Sequence, residues 1–390
     1  MIYFCSATYF ILVSCLYQYV YGSKEKIIFL LASIVTFFIS IAGVFYTLPF
    51  AGDDAERFER LAWEISKGDL GQIFGSFDFT RSYVISSFTG LIYYFTGREP
   101  SIPIFINSFV GLLIIVNSIR LFDLLWSRDC CNRRLYFILV CFSPILTINS
   151  SIILRENFVA IFLILATIRL VKYCNNNQLK DVILFLMFTL FASFFHAGAL
   201  MYALGLPLYI IIFTKSMSVF NKVILSILIF GSLYFLLTSF GYGKFDLNQE
   251  GEMGVNALAE RLENPNVGNT SYLLNLQPKG LVDMIWQAPI RGFYFLTKPF
   301  PWDVKSFGHF LVFLDALLWS MILFVLYQRR KIIMKNEAAI AILLCCFVCV
   351  LIFSYGTSNF GTAVRHRTKF LVEMLAVTAP FFISFTKRVK

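Results

Sequence analysis

Residues 354–370 read SYGTSNFGTAVRHRTKF and lie between two apolar runs, 337–355 and 368–386. An apolar helix needs about 20 residues to cross a bilayer. A chain that goes apolar, polar and apolar again therefore turns at a membrane boundary here. The turn is built of small residues (Gly356, Thr357, Ser358, Gly361, Thr362, Ala363) and followed by Arg365, His366, Arg367 and Lys369. Guanidinium forks fit phosphate oxygens and stay charged at any relevant pH. Histidine titrates near neutrality and moves protons. Together they predict a diphosphate pocket with an acid or base beside it. The competing reading is an interfacial anchor that snorkels its charges to headgroups.

The rest of the chain agrees with a membrane setting. Its 390 residues are 58% hydrophobic and only 14% charged, with mean hydropathy +0.74. That balance excludes a soluble domain and predicts an all-α, polytopic transmembrane helix bundle forming a single integral membrane domain over 1–390. Candidate spans are 1–21, 27–50, 81–97, 102–126, 134–150, 156–173, 181–196, 198–214, 219–240, 307–328, 337–355 and 368–386, about twelve in all. The first run lacks a basic flank and a small-residue cleavage site, which predicts a retained helix. Two hydrophilic stretches interrupt the spans: the acidic, amphipathic 51–80 and the long 241–305.

The net charge of +10 is spread over short inter-helix segments. It reports topology and excludes a nucleic-acid partner, since no soluble basic domain exists to hold one. Six of the nine cysteines lie inside apolar runs, where they act as small hydrophobes. No Cys/His spacing suggests a metal, and no cofactor is expected.

Lys and Arg mark the cytoplasmic side. They gather at Arg128, Arg133 and Arg134, at Lys172 and Lys180, at Lys215 and Lys222, at Arg329 to Lys335, and at Lys387, Arg388 and Lys390. The opposite side then carries 241–305, 356–367, His196 and Leu154–Asn157. At the front two readings stay open. Strict alternation puts 51–80 in the cytoplasm. Lys24 and Lys26 put it outside, in which case one segment fails to cross, and 81–97 is the weakest span.

Several polar residues stand out against this background. In 51–80, Ala55, Phe58, Leu61, Ala62 and Ile65 recur at helical spacing, which predicts a surface helix with Asp53 or Asp54 as its cap. Either acid is also a candidate for a catalytic or sugar-hydroxyl role, and Arg81 follows at the edge of a span. Arg155 breaks an apolar stretch, where a charge marks a functional site by default. It either pairs with Glu156 or faces a polar cavity. His196 lies between two spans, and His309 is given an interfacial role. The long loop closes in QAPIRGFYFLTKPFPWD, residues 287–303. Arg291 and Lys298 would share a helix face there, with Pro299 and Pro301 ending the helix. Tyr294, Phe300 and Trp302 suit a membrane interface or stacking on sugar. Arg261 offers a further polar group upstream.

The GDD opening of 51–80, LREN at 154–157, KPFPWD at 298–303 and GTAVRHRTKF at 361–370, in this order, resemble the Wzy-type repeat-unit polymerases of bacterial surface polysaccharide, broadly including EpsG-like members. The family is placed near the GT-C glycosyltransferases. The resemblance implies an inner-membrane O-antigen or capsule polymerase acting at the periplasmic face, with 241–305 as a periplasmic loop carrying short helices. It implies a metal-independent transfer of a glycan from undecaprenyl diphosphate to a hydroxyl of another lipid-linked repeat unit. Membrane lipids and a separate chain-length regulator are the other expected partners.

On that reading Arg365, Arg367, Arg291, Arg155 and Lys298 would clamp the diphosphate. His366 would be the base, with His196 and Asp303 as fallbacks. Trp302, Tyr294, Asp54, Arg81 and Arg261 would face sugar. Alanine at Arg365, Arg367 or Arg291 should then abolish polymer without lowering protein levels. A lipid-linked glycan flippase or transporter, or an O-antigen ligase, is the alternative.

Overall fold

The computed structural model describes residues 1–49, 51–77, 83–126, 128, 130, 132–213, 218–239, 270–274, 276, 278 and 281–382. Among these the chain is helical and forms no strand, apart from one isolated antiparallel bridge between Ser271 and Asn359. Hydrocarbon offers no partner to a peptide group, so a spanning segment must bond within itself, and a helix does so.

In chain order the helices are α1 (Ile2–Tyr17), α2 (Ser23–Phe45), α3 (Gly52–Ser66), α4 (Leu70–Gly75), α5 (Val84–Thr96) and α6 (Ser101–Trp126). There follow α7 (Arg133–Cys141), α8 (Pro144–Asn149), α9 (Glu156–Asn176), α10 (Leu179–Phe195), a 3-10 helix (Ala197–Leu204), α11 (Gly205–Phe213) and α12 (Val219–Ser239). The last are α13 (Leu281–Thr297), α14 (Phe307–Ile333), α15 (Glu337–Tyr355), α16 (Phe360–Thr368) and α17 (Leu371–Thr378). Five of them, α2, α6, α9, α14 and α15, are long and apolar enough to cross a membrane, and several shorter apolar helices accompany them. This is a multi-pass membrane protein.

The core runs along α6, α9 and α15, through Leu112, Ile114 and Phe122, Val159, Leu163 and Ile164, and Ala339, Ile342 and Cys345, all buried. Gly205 lets α11 lie against α15, because a Cβ there would come within 2.4 Å of the Cys345 backbone.

Ion pairs fix which loops share an end of the bundle. Arg133 bonds Asp123 at 2.6 Å and Glu25 at 3.3 Å, while Asn336 Nδ2 donates to the Leu125 carbonyl at 3.2 Å. The segments before α2, after α6 and before α15 therefore meet at one end. At the other end Arg365 bonds Asp54, which brings the start of α3 beside α16.

That second contact also bears on the segment expected to span at 81–97. The segment is α5, a helix of 13 residues. At 1.5 Å per residue it is about 20 Å long, against about 30 Å of hydrocarbon. It lies on α3: Gly90 abuts Ala62 and Ile65, the Tyr83 hydroxyl accepts from Arg57, and Glu59 accepts from Tyr93 at 3.2 Å and Arg98 at 2.8 Å. Both ends of α5 are thus tied to one surface helix.

Two further expectations are corrected. The 134–150 run is not one helix, because Ser143 is extended and Pro144 starts a new one. Asp54 lies inside α3 and does not cap it, and the Asp53 side chain lies outside the described residues. The N-cap of α3 is Ala51, with no side-chain cap bond.

Between α8 and α9 the chain leaves helical geometry at buried residues Ser150–Leu154. Peptide groups there need partners. The Asn107 amide donates to the carbonyls of Asn149 (2.8 Å), Ile152 (2.5 Å) and Leu154 (3.3 Å). The Ser108 hydroxyl donates to the Ser150 carbonyl at 2.9 Å. Gly111 gives the room, since a Cβ there would sit 2.2 Å from Ser150 Oγ.

Candidate functional site

The break at 150–154 delivers Arg155 and Glu156 to the end of the bundle where α3 and α16 meet. Asn359 starts α16 by accepting from the N–H groups of Gly361 (2.7 Å) and Thr362 (3.4 Å). A helix turns about 100° per residue. Arg365, His366 and Lys369 therefore fall on one side of the α16 axis and Arg367 on the other. The sequence grouped all four; the helix separates them.

On the first side is a compact polar cluster. Arg365 donates to Asp54 Oδ2 at 2.7 Å and, from Nη2, to Glu156 Oε1 at 3.0 Å. Arg155 lies over the Phe58 ring, 5.3 Å from its centroid. Lys369 Nζ is 2.9 Å from Nδ1 of His366, whose ring stacks on Phe353 at 4.8 Å. The His196 ring meets that of His366 edge-on at 5.0 Å. Arg155, His196, Arg365 and His366 are each half-buried, whereas Glu156 and Lys369 are buried behind them. The Asp54 side chain is the most open, at 46% exposure. Among the described residues, Glu156 Oε2 and His196 Nδ1 are buried without a hydrogen-bond partner.

The charges shape each other. Burial, reinforced by Lys369, Arg365 and Arg155, pushes the His366 pKa well below its ordinary value. Burial and the neighbouring cations do the same to His196. Both imidazoles are neutral at pH 7. Burial works against the charge of Arg365, but Glu156 and Asp54 outweigh it and raise its pKa. Burial lowers the pKa of Arg155, which remains a cation because guanidinium starts so high. Two fixed guanidinium cations thus face two carboxylates beside two neutral imidazoles, with Lys369 behind them.

Arg367 is elsewhere. Its fully buried guanidinium bonds Asp315 of α14 at 2.6 Å and the carbonyls of Phe295, Leu296 and Lys298 at 2.8 to 3.0 Å. It ties carbonyls at the C-terminal end of α13 to α14, and its complete burial keeps it from the surface of the cluster.

Arg291 is also buried, donating to Gln287 at 3.1 Å and to the Leu276 carbonyl, with its guanidinium over Tyr355. Lys298 bonds Asp303 at 2.6 Å, and the same Asp303 oxygen accepts the Phe300 N–H at 2.7 Å. These two residues close a turn and do not join the cluster. Lys298 also lies just past the end of α13, so it does not share a helix face with Arg291. Tyr294, Phe300 and Trp302 form an aromatic row with centroid spacings of 5.6 and 5.1 Å, and Trp302 is exposed. His309 packs its ring edge-on against Phe360. Arg81 and Arg261 lie outside the described residues.

Of the residues singled out in the sequence, Arg155, Arg365, His366, His196 and Asp54 come together. Glu156 is more than a partner for Arg155, since it bonds Arg365. The sequence signal for that was its place next to a charge inside an apolar run. Phe353, the stacking platform, carried no signal in a chain with 45 Phe. No family model, curated protein or solved structure matches the chain. Fold and site together define a multi-pass helical membrane protein with a half-buried, cation-rich cluster at one end of its bundle.

Proposed function

We propose that this protein is a metal-independent glycosyltransferase that polymerises undecaprenyl-diphosphate-linked repeat units of a bacterial surface polysaccharide. It works in the inner membrane with its active site on the periplasmic side. The observation that carries the proposal is the convergence of Arg155 and Arg365 with two neutral imidazoles at one end of the bundle. The bond from the sugar C1 to the diphosphate oxygen breaks as a bond from C1 to the acceptor oxygen forms. Negative charge collects on the departing diphosphate, and fixed cations stabilise it. The acceptor hydroxyl loses its proton to a base of the cluster, for which Asp54, His196 and His366 are on offer. The aromatic row ending at Trp302 is suited to hold sugar rings.

The non-helical backbone at Ser150–Leu154 supports a second reading, a transporter of lipid-linked glycan, because transporters place broken helices around their substrates. One experiment separates the two. A strain lacking the gene is complemented with wild type or Arg365→Ala, and its surface polysaccharide is run on a gel. A polymerase gives a ladder with wild type and a single one-repeat band without it. Loss of one such donor costs about 10²–10³ in rate, so Arg365→Ala should leave only the single band, with the protein level measured alongside. Disappearance of every repeat unit in the deletion strain would overturn polymerisation in favour of transport.

A further inference from the structure

Lys369 was grouped with the arginines in the sequence, but its surroundings differ from theirs. It is 1% exposed and so out of reach of a ligand. Among the described residues no carboxylate lies within ion-pair distance of it. Its ammonium sits against His366 Nδ1 at 2.9 Å and over the Phe353 ring at 5.3 Å. A ring face favours a cation, while burial draws the Lys369 pKa down to about 7 against the pull of Glu156.

An ammonium has three N–H donors and no lone pair. In this form Lys369 donates to Nδ1, so Nδ1 carries the lone pair. A neutral imidazole has one N–H, which then belongs to Nε2. Stacking on Phe353 (interplanar angle 3°) and the edge contact with His196 hold the ring plane.

We infer that Lys369 is a positioning residue that locks His366 as its Nε2–H tautomer, making His366 a hydrogen-bond donor to the anionic leaving group and not the base. This rests on the lipid-diphosphate reading for the identity of the anion. The tautomer lock itself does not. His366 gives a hydrogen bond and transfers no proton. Proton removal from the acceptor hydroxyl then falls to Asp54 or His196.

The test has a spectroscopic and a functional arm. The protein is labelled with ring-15N histidine, placed in nanodiscs, and the His366 signals are assigned by their loss in His366→Gln. Wild type should show the Nε2–H form at neutral pH, Lys369→Met should lose that preference, and Lys369→Arg, which keeps a donor, should restore it. A wild-type Nδ1–H form, as a neutral lysine amine accepting from the ring would produce, overturns the inference. So does an unchanged tautomer in Lys369→Met.

In the gel assay, glutamine at 366 keeps an N–H near the Nε2 position, whereas asparagine and alanine do not. His366→Gln should stay within about tenfold of wild type while the other two fall about 10²-fold or more. Equal loss in all three sinks the donor role. If Arg365→Ala leaves the ladder intact while the tautomer behaves as stated, it is the diphosphate reading that fails.

Discussion

Arg365 and Arg367 are two residues apart and do different work. Helical geometry turns Arg365 toward Glu156 and Asp54 and Arg367 toward Asp315. Removing one partner of a buried pair strands the other, at a cost of about 3–5 kcal/mol. Arg367→Ala should therefore lower the unfolding temperature and the amount of protein in the membrane. The paired change Arg367→Met with Asp315→Leu should recover much of both, because an apolar pair carries no desolvation penalty. Fluorescence-detected size exclusion after a heat step measures this, and wild-type behaviour of Arg367→Ala would refute the structural role. The same reasoning revises the expectation that alanine at Arg367 or Arg291 spares the protein level. Both side chains are buried and bonded to backbone carbonyls. Of the three arginines first proposed for that test, Arg365 is the one within the cluster, and because it also ties α3 and α9 to α16 through Asp54 and Glu156, its protein level is measured beside its activity.

At the scale of elements, the site depends on a stretch that is not an element. Ser150–Leu154 puts Arg155 and Glu156 into the cluster, and the Asn107 amide holds it through three carbonyls. Leucine has about the right volume and no donors. Asn107→Leu should strand those acceptors at about 1–3 kcal/mol for each one left unsatisfied, and activity should fall further than stability because Arg155 loses its support. A thermal-unfolding curve alongside the gel ladder checks this, and a normal ladder from a destabilised protein would show that the break does not position the site. Amphipathic α3 was legible from its apolar spacing. That α5 lies on it was not, since a thirteen-residue, largely apolar stretch with several Ser and Thr reads equally as a short span or a packed helix.

For the whole molecule, the ion pairs divide the loops into two sets. Residues 54–66, 196 and 356–367 lie at one end, and the segments around 18–25, 132–133 and 334–336 at the other. Single cysteines placed in a background freed of native cysteines should label accordingly with an impermeant thiol reagent. Glu56→Cys and Asn359→Cys should react from one face of the membrane, and Ser23→Cys and Lys335→Cys from the other. Labelling of positions 56 and 359 from opposite faces would contradict the packing of α3 against α16.

The sequence by itself determined that the chain is a helical membrane protein, because hydrocarbon admits few alternatives for an apolar run. It also marked Arg155, His196 and the 365–369 cluster, because charges in such surroundings are costly enough to be conspicuous. Only the tertiary structure decided which charges meet. Asp54, Glu156 and Arg365 are separated by 100 to more than 300 residues, and no local periodicity encodes a contact at that range. It also decided which arginines lie within the cluster and which are consumed in holding the fold. That choice depends on which carbonyls and carboxylates each guanidinium reaches, and those groups are supplied by other helices.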